Sequence, residues 1–122
     1  MNNKALGNLA EFMARCYFRI KGYTILAKNL KTSGKAPIGE VDFIAKKGKT
    51  IIFAEVKKRQ SIEKAKYAIL PKQQKRIVNA AKIYIKNHPN YQNCNIRFDA
   101  VLVKFPFQIL HIKNAWNENI YS

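Results

Sequence analysis

The sequence predicts an α/β domain in which helices flank a central mixed β-sheet of about five strands. Three observations lead there. Periodic segments follow one another as a helix, three strands, a helix and two strands, an order that fits layered α/β folds. Two apolar runs, Val41-Asp42-Phe43-Ile44-Ala45 and Ile51-Ile52-Phe53-Ala54-Glu55-Val56, are separated by Lys47-Gly48-Lys49 and read as a hairpin. Finally, 122 residues with 48% hydrophobic and 11% aromatic side chains and nine Gly or Pro describe one folded domain spanning 1–122. At that length a chain buries ~65% of its unfolded surface, enough for a single core.

Asn3 to Lys21 repeats at helical spacing, with Leu6, Leu9, Ala10, Met13, Tyr17 and Ile20 as one stripe, and Gly22 ends the helix. Tyr23 to Ala27 is strand-like, and Thr32 to Pro37 is built of turn residues. The hairpin strands run from Glu40 to Lys46 and from Thr50 to Lys57. Arg59 to Leu70 is polar and gives no clear periodicity. Pro71, suited to a first helical turn, opens a helix carrying Ile77, Val78, Ala81, Tyr84 and Ile85, which Asn87-His88-Pro89 stops. Ile96 to Phe105 and Ile109 to Lys113 are two more strands around a turn at Pro106.

Twenty-three Lys and Arg against seven Asp and Glu leave a formal charge of +16. So much charge on a small body calls for a polyanionic partner. No apolar stretch approaches the ~20 residues of a membrane span, and the cations are spread over helices, turns and strand ends rather than along one amphipathic helix. The expected partner is therefore nucleic acid, not a membrane. Cys16 and Cys94 form no disulfide or metal pattern and no signal-like run follows the N-terminus, so a reduced, cytoplasmic setting is expected.

Acids are scarce, yet Glu40, Asp42 and Glu55 all lie in the apolar hairpin. A two-residue loop at Lys47-Gly48 would pair Lys46 with Lys49, setting Asp42 opposite Phe53 and Glu40 opposite Glu55. Asp42, Glu55 and Lys57 then share one face, close enough for two carboxylates to converge on one hard cation. Phosphodiester hydrolysis uses such a cation, Mg²⁺ or Mn²⁺, to neutralise phosphate and activate water, and a nearby lysine can hold the water or meet developing charge. The competing reading is a surface ion pair of Asp42 with Lys57, worth ~0–1 kcal/mol. Against it stands Glu40, because three crowded acids repel without a cation between them.

With these residues in view the sequence resembles the YraN-like family of predicted endonucleases, of the restriction-endonuclease-like, PD-(D/E)XK fold. Gly39-Glu40-Val41-Asp42-Phe43-Ile44-Ala45 is similar to the family's G-E-[IV]-D-[LF]-I motif, and Phe53-Ala54-Glu55-Val56-Lys57-Lys58-Arg59 to its F-[VA]-E-V-K-x-R motif. Gly7, Glu11, Ala14 and Gly22, Asn29, Pro71 to Arg76, Arg97 to Val101, His111 and Ala115-Trp116 extend the likeness through most of the chain. The resemblance implies a nuclease core with Asp42 and Glu55 as metal ligands and Lys57 as catalytic lysine. Glu11 is a further candidate carboxylate: Gly7, Glu11, Ala14 and Phe18 recur along one helix edge, although a solvent contact on the helix flank explains Glu11 as well. Gln73 stands where relatives often hold Lys.

Other residues carry two readings each. Gln73 and Gln74 either orient a water or phosphate near the site or serve the first turn of their helix. Asp99, inside an apolar strand, is expected to pair with a neighbouring cation, and His111 to be a satisfied or exposed histidine rather than a ligand. Lys46, Lys47, Lys49, Lys58, Arg59, Lys72, Lys75 and Arg76 are candidate phosphate contacts. Tyr67, Tyr91 and Phe107 either stack on bases or pack. The expected activity is metal-dependent endonucleolytic cleavage of DNA, with branched or flapped structures as candidate substrates and a homodimer compatible with their twofold symmetry. The alternative is a non-catalytic nucleic-acid-binding module on the same fold.

Overall fold

A computed structural model describes residues 2–32, 38–59, 69–118 and 120. Most of the expected loop at Thr32–Pro37, most of the polar Arg59–Leu70 segment, and Tyr67 lie outside the described residues. Helix α1 (Asn3–Ile20) begins at Asn2, whose side chain accepts a hydrogen bond from the Ala5 N–H at 2.8 Å. It ends at Lys21, with Gly22 at φ +94° in the expected position just past the cap. The expected stripe is corrected here. The buried line is Ala10, Ala14 and Phe18, and Ile20 is 83% exposed. Ile20 sits about 200° around the helix from Phe18, so once Phe18 points into the core Ile20 must face solvent.

Five strands follow: β1 (Thr24–Lys31), β2 (Glu40–Lys47) and β3 (Thr50–Lys58), then β4 (Asn95–Lys104) and β5 (Gln108–Trp116). Between β3 and β4 the chain forms α2 (Pro71–Lys86) and a single 3-10 turn at Pro89–Tyr91. The sheet order is β1-β2-β3-β4-β5; the β3–β4 pair is parallel and the others antiparallel. This is the mixed five-strand α/β arrangement expected, and it accords with a restriction-endonuclease-like fold. The two helices take opposite faces: Ala10, Ala14 and Phe18 of α1 pack with Phe43, Ile52 and Val101, while Ile77, Ala81 and Ile85 of α2 pack with Ile44, Phe53 and Leu102. Among the described residues no helix is long and apolar enough to cross a membrane.

The hairpin register differs from expectation. Lys47, not Lys46, closes the ladder against Thr50, leaving Gly48-Lys49 as the turn. Gly48 takes φ +59° at the first corner, where a two-residue turn of this kind demands glycine. Phe43 consequently faces Ala54, so Asp42 and Glu55 are the next residues beyond the ladder, and neither the Asp42–Phe53 nor the Glu40–Glu55 pairing forms. Because the shift is an even one, Asp42, Glu55 and Lys57 keep matching parity.

Two local devices fix the start of β2. Thr32 and Gly39 clamp together: Gly39 N–H donates to Thr32 Oγ1 at 2.7 Å and Thr32 N–H to Gly39 O at 2.8 Å. Gly39 itself lies against the α2 backbone, where a Cβ would stand 2.6 Å from Ala80 N, so only glycine fits. At the other side of the sheet, fully buried Asp99 accepts from Arg97 at 2.8 and 2.9 Å, lies 2.7 Å from His111 Nε2, and accepts from Asn114 N–H at 3.2 Å. Burial pushes the Asp99 carboxyl up, but His111 and Arg97 outweigh it and hold it below its ordinary value. Both residues thus take the structural roles expected of them, and Arg97 extends the network to the Tyr23 hydroxyl at 2.8 Å.

Candidate active site

The site begins where the sheet forks. Strand β2 stays paired with β1 as far as Lys31–Glu40, but its ladder with β3 stops at Phe43–Ala54. Alternation breaks at the same point: Val41 packs on the α2 side, whereas Phe43 packs on the α1 side. The Val56 N–H, left without a carbonyl from β2, donates instead to Asp42 Oδ2 at 2.7 Å. The fork opens into a cleft of about 270 Å³ lined by Gly7 and Glu11 of α1, by Asn29 to Lys31 of β1, by the start of β2, by the end of β3 and by Gln73. Among the described residues four acids, Glu11, Glu40, Asp42 and Glu55, line this one cleft.

Three of those acids interact. Asp42 is pushed up to about 8, first by burial and then by the hydrogen bond and charge of Glu55; the Val56 N–H and Glu11 oppose the shift. Glu11 is pushed up to about 7 by burial and by the hydrogen bond and charge of Asp42, with Arg15 opposing. Glu11 and Asp42 are therefore a coupled pair, both raised toward the protonated form, Asp42 by burial and Glu55, Glu11 by burial and Asp42. A doubly charged cation bound between such carboxyls would displace their protons to solvent, and their crowding would then favour binding. Lys57 Nζ lies 3.9 Å from Glu55 Oε2, largely sheltered from solvent. Among the described residues no three His, Cys, Asp or Glu side chains form a ready-made cage.

Residues 10–103 match the Uncharacterised protein family UPF0102. The chain belongs to the UPF0102 family. This is the YraN-like family that its motifs resemble. A UPF0102 protein of Paramagnetospirillum magneticum is 40% identical over 111 residues, covering 90% of this chain and 85% of its own length. A UPF0102 protein of Rhodopseudomonas palustris is 43% identical over 97 residues, 80% of this chain and 72% of its own. One from Nitrobacter winogradskyi is 42% identical over 97 residues, 80% and 79% of the two chains.

The remaining candidates fall into three places on this UPF0102 chain. At the cleft, Glu40 pairs with Arg76 at 3.6 Å instead of joining the other acids, and Gln73 both lines the cleft and accepts from Leu70 N–H at 3.2 Å, serving the first turn of α2. Lys58 lines the same cleft while reaching Asn3 Oδ1 at 3.4 Å. Lys72 and Lys75 are exposed on the first turns of α2, and Arg59 N–H is tied to Val103 O at 2.9 Å just past β3. By contrast Lys46, Lys47 and Lys49 lie at the hairpin's other end, about 16 Å along β2 from Asp42. There Lys46 donates to Gly48 O and Lys47 to Lys21 O, at 2.7 and 2.8 Å, the latter capping the end of α1. Asn29 enters the sequence reading only through the family likeness, with no role at the site. It takes φ +51° inside β1 at the cleft wall, and an asparagine within a strand, a residue tolerant of left-handed backbone, was the available signal.

Proposed function

We propose that this chain is a divalent-metal-dependent nuclease that hydrolyses phosphodiester bonds in DNA. The observation that carries the reading is the gathering of Glu11, Asp42 and Glu55 at the fork of the sheet, beside Lys57, in a protein of formal charge +16. A pure nucleic-acid binder is weakened by carboxylates facing phosphate, whereas a hydrolase needs them. Asp42 and Glu55 would hold Mg²⁺ or Mn²⁺, with Glu11 reaching it directly or through water. When bound, such an ion neutralises phosphate charge and eases deprotonation of a water. Lys57 presents its ammonium next to Glu55, where it can orient the attacking water or meet charge developing on the phosphoryl oxygens. The water oxygen bonds to phosphorus, the bond to the leaving nucleotide oxygen breaks, and that oxygen takes up a proton.

The cleft's rim supports a polyanionic substrate. The first turns of α2 carry Lys72, Lys75 and Arg76, with no acid in the first turn, although a helix N-terminus favours negative charge. A phosphate backbone passing this end would meet both the side-chain charges and the helix N-terminus. Cys16 and Cys94 are free thiols, which supports the reduced, cytoplasmic setting proposed for the protein. The test is a panel of single-stranded, duplex, flapped and four-way-junction DNAs, with chelator, Mg²⁺ or Mn²⁺, alongside Glu55→Gln and Lys57→Met. Metal-dependent cleavage lost at least a hundredfold in both variants is expected. Tight binding without cleavage under any condition would instead favour the non-catalytic module.

A further inference from the structure

A second concavity, of about 380 Å³, lies against the carboxylate cleft and is lined by Leu6, Lys58, Arg59, Lys104 and Phe105. Among the described residues three cations, an aromatic ring and an aliphatic side chain line it, and no acid. The two concavities adjoin: Lys58 lines both, and Leu6 of the groove is followed directly in α1 by Gly7 of the cleft. Gly7 has open space where a Cβ would stand. A glycine in a helix interior costs about 0.5–1 kcal/mol relative to alanine, so this position forgoes helix stability where the helix borders both cleft and groove. Phe105 opens the β4–β5 turn, and two residues on, in the same turn, Phe107 is 86% exposed. A lone exposed phenylalanine needs no explanation. One projecting from the turn that also supplies Lys104 and Phe105 to a basic groove has a chemical match.

That match is unpaired nucleotides. A duplex turns its bases inward and offers only phosphates to such a groove. A single strand offers phosphates to Lys58, Arg59 and Lys104 and bare base faces to the aromatic rings, the combination by which sequence-tolerant single-strand binders work. Resting on the nuclease reading, we infer that the DNA passing out of the carboxylate cleft lies in this groove as a single strand, with a base stacked on Phe107. The substrate class is then DNA carrying unpaired nucleotides beside the bond to be cut, rather than uniform duplex.

The experiment measures binding in chelator, so that it does not depend on cleavage. Fluorescence anisotropy compares the wild-type chain on a forked DNA with single-stranded arms and on a blunt duplex with the same number of phosphates, and a 2-aminopurine in one arm reports stacking. The forked DNA is expected to bind about tenfold more tightly and the 2-aminopurine to be quenched. Phe107→Ala is expected to bring the forked affinity down to the duplex level and abolish quenching, while Phe107→Trp restores both. Phe107 is almost wholly exposed, and melting curves confirm that the variants fold. Equal affinity for the two DNAs, or a Phe107→Ala variant indistinguishable from wild type, overturns the inference and leaves the nuclease reading standing. A fork preference with no cleavage under any metal sustains the groove and removes the nuclease. Binding to neither DNA overturns both.

Discussion

Replacing Asp42 by asparagine should stabilise the metal-free protein. The amide keeps the acceptor that Val56 N–H uses at 2.7 Å and removes a carboxyl that crowds Glu55 and Glu11. In the wild type that carboxyl is pushed from 3.8 to about 8. A carboxyl with its folded value raised gives stability that is full below the unfolded value and is lost as pH rises through the folded one. Stability should therefore fall between about pH 4 and pH 8 in the wild type, with a shallower fall in Asp42→Asn, where the shift at Glu11 is also relieved. At pH 7 the penalty has an upper bound of about 4 kcal/mol. The new amide hydrogens need acceptors on Glu11 or Glu55, so a net gain of ~2 kcal/mol is expected, a rise in Tm of roughly 5–10 °C for a domain of this size. Saturating divalent cation should invert the order: at a hundred times Kd it adds about 2.7 kcal/mol to the wild type and little to the variant. Thermal melts from pH 4 to 9, with chelator and with Mg²⁺ or Mn²⁺, read all of this. A variant less stable than wild type at pH 8 in chelator, or a difference that does not change with pH, would refute the crowded-carboxyl account.

Three further outcomes are expected. Asp99→Asn should destabilise by about 3 kcal/mol by leaving the partly buried Arg97 without its counter-charge, read by urea denaturation. Since Asp99 is held below its ordinary value, its contribution in the wild type is present above the unfolded value and disappears only as pH falls through the lower folded one. Gly39→Ala should push β2 off α2, because its Cβ would meet Ala80 N at 2.6 Å; a loss of ~2 kcal/mol or more is expected, and a variant as stable as wild type would contradict the packing. DNA affinity should fall steeply with salt, log K against log salt having a slope near −0.9 for each phosphate neutralised; an affinity that is flat from low to physiological salt would remove the electrostatic reading.

The hairpin and α2 were legible because their patterns are local. Phe43, Ile44, Ile51 and Phe53 sit in strict strand runs, and Pro71 with Ile77, Val78, Ala81 and Ile85 marks a helix at its start and along its buried face. The carboxylates were legible for a compositional reason: acids are rare in this chain and disfavoured in apolar strands, so Asp42 and Glu55 stood out. What escaped depends on contacts between segments distant in sequence. The length of β1 was hidden because Lys28, Asn29 and Lys31 lie on an edge strand, where charge guards against pairing and masks the apolar pattern. β5 runs on to Trp116 across a bulge, past Lys113 and Asn114, which read as its end. The hairpin register turned on which corner Gly48 occupies, and one residue of difference there moves every pairing. The fork at Asp42 could not be read locally either, since it follows from Gly39 being pressed onto the backbone of α2, 41 positions away in Ala80.

The clamp between Thr32 and Gly39 has a consequence for how such a chain can diversify. Its hydrogen bonds tie the two ends of the intervening segment to each other, and Gly39 is anchored independently to α2, so Asp42, three residues on, is positioned without reference to how long that segment is. Closing a longer loop adds only about 0.6 kcal/mol for each doubling of length. Sequence inserted between residues 33 and 38 would thus leave the carboxyl geometry in place, and it would emerge between Lys31 and Glu40, both of which line the cleft. The architecture separates a fixed chemical centre from an extensible margin, and grafting a short recognition peptide at this point is the direct way to give the protein a new target preference.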